Sequence, residues 1–171
     1  AQAQAGINFV GTTRGCFGAG CAGAASATTQ NLTFNGGAFN TTTDAGGRAP
    51  VGGTATNSFG SLTLTAPASG ANNYDGTIFR LFFDFTQPGV VTGAPIFQGV
   101  AEGIVSTVGN GITVNFNPNT LPVGFGAPTG IIASVTISNP VGVNAGDGPQ
   151  QISGRITAVI GPNGAGKSSL F

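Results

Sequence analysis

The residues best equipped for chemistry stand together at the C-terminal end, in ITAVIGPNGAGKSSLF, where Gly161 to Ser168 spells G-x-x-x-x-G-K-S. In such a segment a strand leads in and glycines let backbone N–H groups wrap a phosphate. The lysine then reaches the outer phosphates and the hydroxyl ligates magnesium. The candidate nucleotide contacts are therefore Gly161, Gly166, Lys167 and Ser168. Only three residues follow Ser168, where the helix whose dipole and ordered amides complete an anion site would begin.

Elsewhere the means for catalysis are scarce. There is no histidine, which excludes a Cys–His nucleophile and a Cys/His zinc site. Five carboxylates are present: Asp44, Asp75, Asp84, Glu102 and Asp147. A glycosidase needs two that face each other, and Asp84 with Glu102, both in strand-like runs, is the pair that could meet across a sheet. Pairing with arginine is the competing use, and Arg80 shares a strand face with Asp84. NNYDG and NAGDG offer loop oxygens of the kind that bind calcium, but without the spacing of a calcium loop, so Asx-turns are the simpler reading. No metal, cofactor or catalytic residue is assigned, and the expectation is a protein that is not an enzyme.

Two cysteines lie in CFGAGC. Four residues separate Cys16 from Cys21, three of them Gly or Ala, so a tight loop brings the sulfurs together in a local disulfide. That suits an exported protein. AQAQAGINFV reads as the start of a mature chain left by cleavage of a signal peptide after a small residue. The sequons at Asn31 and Asn40 would be glycan acceptors in such a chain.

These residues must be positioned by the rest of the chain, whose composition is unusual. Of 171 residues, five are basic and five acidic, against roughly a quarter charged in ordinary soluble domains. Glycine numbers 31 and phenylalanine 13, and threonine and asparagine abound. Phe and Thr favour strands, while Gly and Asn favour turns. The five basic residues (Arg14, Arg48, Arg80, Arg155, Lys167) are scattered, which argues against nucleic acid as a partner. No apolar run approaches the ~20 residues of a membrane span.

Alternation marks the strands. In TIFRLFFDFT, Phe79, Leu81, Phe83 and Phe85 share one face, while Ile78, Arg80, Phe82 and Asp84 share the other, as in a central strand covered in part on its second face. Ile7 with Phe9, Leu32 with Phe34, and Leu62 with Leu64 mark three further strands. Ile112 with Val114 and Phe116 marks a fourth. Ile131, Ala133, Val135 and Ile137 form one register, and Ile152, Ile156, Ala158 and Ile160 another. In FQGVAEGIVSTV the residues in phase are Val100, Ile104 and Val108. Thr12 to Gln30 reads as a long Gly/Ala-rich loop, 36–57 as loop or weak edge strand, and NPNTLPVGFGAPTG and NPVGVNAGDGP as loops. Tyr74 falls in a turn. The prediction is a single all-β domain over 1–171: an antiparallel β-sandwich, jelly-roll-like, of about eight or nine short strands. Residues 1–30 form an extended N-terminal strand plus loop, and 161–171 a C-terminal tail.

Two resemblances accompany this reading. ITAVIGPNGAGKSSLF resembles the Walker A segment of ABC-transporter ATPases, which implies that Lys167 contacts the outer phosphates and Ser168 the magnesium. The signature loop and magnesium-holding aspartate of that family are not found around it. LTLTAP, FRLFFDFTQPG, GNGITVNFNP, SVTISNPVGVNAG and QQISGRITA look like bacterial exported surface β-sandwich proteins, similar to those whose precursors end in a PEP-CTERM sorting signal, itself lacking here. That resemblance implies secretion and a structural or matrix role.

The leading functional expectation is thus a structural subunit of an extracellular or cell-surface filament, a head-to-tail polymer of copies of itself. An N-terminal strand anchored by Ile7, Phe9 and Val10 would complete a neighbour's sheet, or the strand from Gln151 would serve. One alternative is a fragment of a P-loop ATPase, carried by GPNGAGKS alone, and the other is a secreted carbohydrate- or surface-binding module. The absence of tryptophan and the single tyrosine weaken it, because sugars stack on exposed aromatic faces.

Overall fold

The computed structural model describes residues 5–54, 56–126 and 129–159. They are all-β, with no helix among them, and every strand pairing is antiparallel. One layer is a six-stranded sheet. Its order is β15 (Val141–Asn144), β12 (Gly111–Phe116), β10 (Ile96–Glu102), β8 (Ile78–Gln87), β1 (Asn8–Phe17) and β4 (Ala38–Thr42). The facing layer holds two sheets. The first runs β5 (Arg48–Val51), β17 (Gly154–Val159), β14 (Ile132–Ile137), β13 (Thr120–Phe125) and β9 (Val91–Gly93). The second runs β16 (Gln150–Gln151), β6 (Ser61–Leu64), β3 (Leu32–Asn35) and β2 (Ser26–Thr29). A short pair, β7 (Ala71–Asn73) with β11 (Ile104–Ser106), completes the set.

Phenylalanine joins the layers. Phe9 of β1 and Phe85 of β8 both meet Phe125 of β13, with ring centroids 5.7 and 5.3 Å apart. Phe79 of β8 meets Phe34 of β3 at 5.1 Å. The six-stranded sheet therefore packs against both facing sheets. Several pairs are edge-to-face, including Phe59 with Phe83 at 4.9 Å and 75°. Each such pair adds about 0.5–1.5 kcal/mol beyond its area burial.

The pattern read from TIFRLFFDFT holds. β8 is central, flanked by β1 and β10. Phe79, Leu81 and Phe83 are buried, and Ile78, Arg80, Phe82 and Asp84 are half-buried on the outer face. The inward sets of β3, β6, β12, β14 and β17 also hold as far as they are described, Ile160 lying outside the described residues.

Four features differ from expectation. Strands number 17 among the described residues, not eight or nine, because several runs read as loops are paired. Thr12 to Gln30 is not one loop: β1 continues to Phe17, and β2 follows after a short excursion. Its small residues hid it, and they are small for a reason. A Cβ on Gly15 would lie 2.7 Å from the Phe34 ring and 2.9 Å from that of Phe79.

Thr120–Phe125 and Val141–Asn144 are likewise strands. Pro122 is tolerated because the Ile137 amide donates to the Asn119 carbonyl. That bond sets the alternation so that the nitrogen of Pro122 points away from β14. On that other side β9 reaches only Gly124 and Phe125.

In β10 the phase is opposite to that expected: Phe97 and Ala101 are buried, as is Val105 beyond, while Val100, Ile104 and Val108 are exposed. Gly99 concealed the true register. It faces inward with no side chain because a Cβ there would lie 2.7 Å from Val114.

Candidate functional site

The outer face of β8 carries the most developed polar cluster. Arg14, opposite Phe82 in the β1–β8 register, donates from Nε to Asp84 Oδ2 at 2.6 Å and from a second nitrogen to Asp84 Oδ1 at 3.2 Å. Its third nitrogen donates to the Gly23 carbonyl at 3.2 Å. The carboxylate raises the pKa of the guanidinium above the usual arginine range, chiefly by hydrogen bonding, against an opposing desolvation that exceeds the further lift from its charge. Arg80 donates to the Cys21 carbonyl at 2.5 Å. Both guanidinium carbons lie over the Phe82 ring, 5.2 and 5.0 Å from its centroid, within cation–π range.

The disulfide is present. Cys16 and Cys21 are joined, with Cα atoms 6.1 Å apart. Cys16 sits in β1 opposite Arg80, so the closed loop folds back over the outer face of β8. There Gly23 packs so closely on Phe82 that a Cβ would lie 2.5 Å from the ring. One covalent link, two arginine-to-carbonyl bonds and an aromatic floor thus hold the loop. Arg80 does not pair with Asp84, as sharing a strand face suggested: the two lie four residues apart along β8 with Phe82 between them, about 14 Å at 3.4 Å per residue, whereas Arg14, opposite Phe82, is a diagonal cross-strand neighbour of Asp84 and takes the carboxylate. The cross-strand partner was not legible because Arg14 read as loop.

Beside this cluster lies an open cleft of about 500 Å³ lined by Thr12, Thr13, Arg14, Ala25, Gly36, Gly37, Ala38 and Asp84. A second, of about 420 Å³, shares Gly36 and Gly37 and is otherwise lined by Ser58, Gly60, Ser61, Pro149 and Gln151. Their common wall is bare backbone, since a Cβ on Gly36 would collide with the Thr13 carbonyl and one on Gly37 with Gly60 and Ser58.

The remaining expected sites fall apart or lie elsewhere. Asp84 and Glu102 do not face each other. Val100 pairs with Ile78, so Glu102 sits level with residue 76, eight residues from Asp84, or about 27 Å at 3.4 Å per residue. Asp75 lies in an Asx-turn, its amide donating to Asn73 Oδ1 at 2.9 Å, while its Oδ1 accepts from the Gly103 amide at 2.7 Å. Tyr74 is no surface platform: it is fully buried, and its hydroxyl accepts from the Asn31 amide at 3.2 Å and Asn72 Nδ2 at 3.4 Å. Asn40 is exposed on β4, and its Oδ1 accepts from Asn8 Nδ2 at 3.0 Å.

Ile7, Phe9 and Val10 lie in their own chain. β1 pairs with β4 on one side and β8 on the other. Phe9 is fully buried, and Ile7 packs against the core. The run from Gln151 is divided: Gln151 belongs to β16, an edge strand paired with β6, while β17 is enclosed between β14 and β5. Gly161, Gly166, Lys167 and Ser168 lie outside the described residues. β17, which leads towards them, is antiparallel to both neighbours.

No protein-family model matches the chain, and neither does any curated protein or solved structure.

Proposed function

We propose that the protein is a structural subunit of an extracellular or cell-surface assembly, a filament or matrix built from copies of itself. The observation that carries this reading is a β surface that is nearly free of charge. The outward positions of the four-stranded sheet are Ser26, Thr28, Thr33, Asn35, Ser61, Thr63 and Gln151, with no ionisable group among them. The outer row of β4 is Ala38, Asn40 and Thr42. A freely diffusing monomer normally carries charge for colloidal repulsion and guards its strand edges with it. Surfaces of hydroxyls and amides instead tolerate close packing against copies. The Cys16–Cys21 disulfide fits an oxidising compartment, in keeping with export.

Because β1 is bonded along both edges within its chain, strand donation by Ile7, Phe9 and Val10 would take the form of exchange between copies. Addition of complete sandwiches at a free edge asks less of the fold. Light scattering and sedimentation of the oxidised protein over a range of concentrations test the reading. It expects large, regular polymers, and a lone monomer at every concentration contradicts it.

A second reading, a module binding a neutral saccharide, draws on the Thr12–Arg14–Asp84 cleft. Its carboxylate and hydroxyl could receive a diol, although Phe82 is already covered by Gly23 and flanked by two arginines. A glycan array separates the two readings.

A further inference from the structure

The five-stranded sheet ends differently on its two sides. At one edge β5 carries Arg48 and Pro50, a charge and a missing donor, which are familiar guards against further pairing. The other edge is β9, and it has neither. No charged residue occurs between Asp84 and Glu102, so the strand and the chain on either side of it are neutral, as is β13, with which it pairs.

The Gly126 amide donates to the Val90 carbonyl at 2.8 Å, which turns Val90 towards β13. Strand alternation then points the amide and carbonyl of Val91 outward, to the side where no strand pairs with β9 among the described residues. The Val91 side chain packs against the core, leaving those of Val90 and Thr92 on the solvent face. Val90 is 74% exposed, and Gly89 and Gly93 place no side chains beside it.

We propose that the β9 edge is where a second copy of this chain docks, antiparallel about a two-fold axis at Val91, making one ten-stranded sheet from two sheets of five. The axis closes two reciprocal hydrogen bonds between Val91 and its counterpart. It also sets Val90 directly opposite Thr92 of the partner, where Cβ atoms approach to about 4.5–5.5 Å and the exposed valine is covered. A neutral strand meets its own copy without like-charge repulsion, and the guarded β5 edge cannot substitute. The inference rests on the reading that copies associate, and narrows it. An isologous contact closes a pair, so a filament must join pairs through a second contact.

The test is analytical ultracentrifugation of the oxidised full chain, with electron microscopy of the same samples. Wild type forms a concentration-dependent dimer. Val90→Glu, or Thr92→Lys, weakens it roughly tenfold or more by placing an unmatched charge in the seam. The double variant Val90→Glu/Thr92→Lys sets opposite charges across the two-fold and restores it. Thr33→Lys, on the outer face of the four-stranded sheet, leaves the dimer unchanged. A wild-type chain that stays monomeric, or a dimer indifferent to Val90→Glu and Thr92→Lys, overturns the proposal. If fibres form while the seam variants have no effect, the assembly reading stands and this edge is wrong. If dimers form and respond but fibres never appear, the edge stands and the filament falls.

Discussion

Arg14 and Asp84 meet as a two-pronged ion pair across neighbouring strands, Nε to Oδ2 at 2.6 Å and a second nitrogen to Oδ1 at 3.2 Å. It is the one ion pair among the described residues. Its location explains it: the third nitrogen of Arg14 holds the Gly23 carbonyl, so the pair fixes the disulfide loop to the sheet.

Both partners are more than 40% exposed, so solvent screens the pair and its worth is at most about 1 kcal/mol. Asp84→Ala is therefore expected to lower Tm by no more than about 2–4 °C while accelerating amide exchange across Gly18–Gly23. The raised pKa of Arg14 gives a contribution that is fully present below the ordinary arginine range and is lost only as pH rises through the higher folded value. A thermal-stability profile from about pH 5 to pH 9 should show no step traceable to Arg14.

Opening the Cys16–Cys21 link should cost more. A loop this short contributes about 2 kcal/mol in the chain-entropy model. Cys16→Ser/Cys21→Ser is expected to lose that amount in denaturant titration. The arginine-to-carbonyl bonds from Arg14 and Arg80 remain, so the sandwich stays folded. Circular dichroism of the variant checks that second half.

Two glycines of the six-stranded sheet should respond oppositely to the same substitution. Gly15→Ala drives a methyl to within 3 Å of the Phe34 and Phe79 rings, an overpacking that costs about 1–3 kcal/mol. Gly142→Ala meets nothing within 4 Å and restricts only the unfolded chain, so it should be neutral or stabilising by about 0.4–1 kcal/mol. Paired urea melts measure both.

Tyr74→Phe removes a buried hydroxyl that accepts from Asn31 and Asn72. Leaving those donors without it should cost about 1–2 kcal/mol. Glycan binding, if any is detected, should be unaffected, since the ring is fully buried.

How much of this was legible depended on where the large side chains fell. β8 was readable because phenylalanine or leucine occupies every inward position. β10 was misread by one residue because its inward row is Phe97, Gly99, Ala101. There small residues make room for Val114 and Phe116, and period-two reasoning has no mass to weigh. β13 and β15 were hidden by Pro and Gly, whose cost in a strand depends on which side is bonded, a property of the sheet and not of the segment. The cysteine pairing was legible from spacing alone. The Arg14–Asp84–Phe82 arrangement was not, because it joins residues 70 apart through a register that no local pattern encodes.

The central claim is that nearly uncharged, self-complete sandwiches assemble with their own kind. Negative-stain electron microscopy of the purified, oxidised protein tests it most directly. The account predicts ordered fibres or sheets whose repeat is a whole number of sandwich domains. A field of dispersed single particles at every concentration would contradict it.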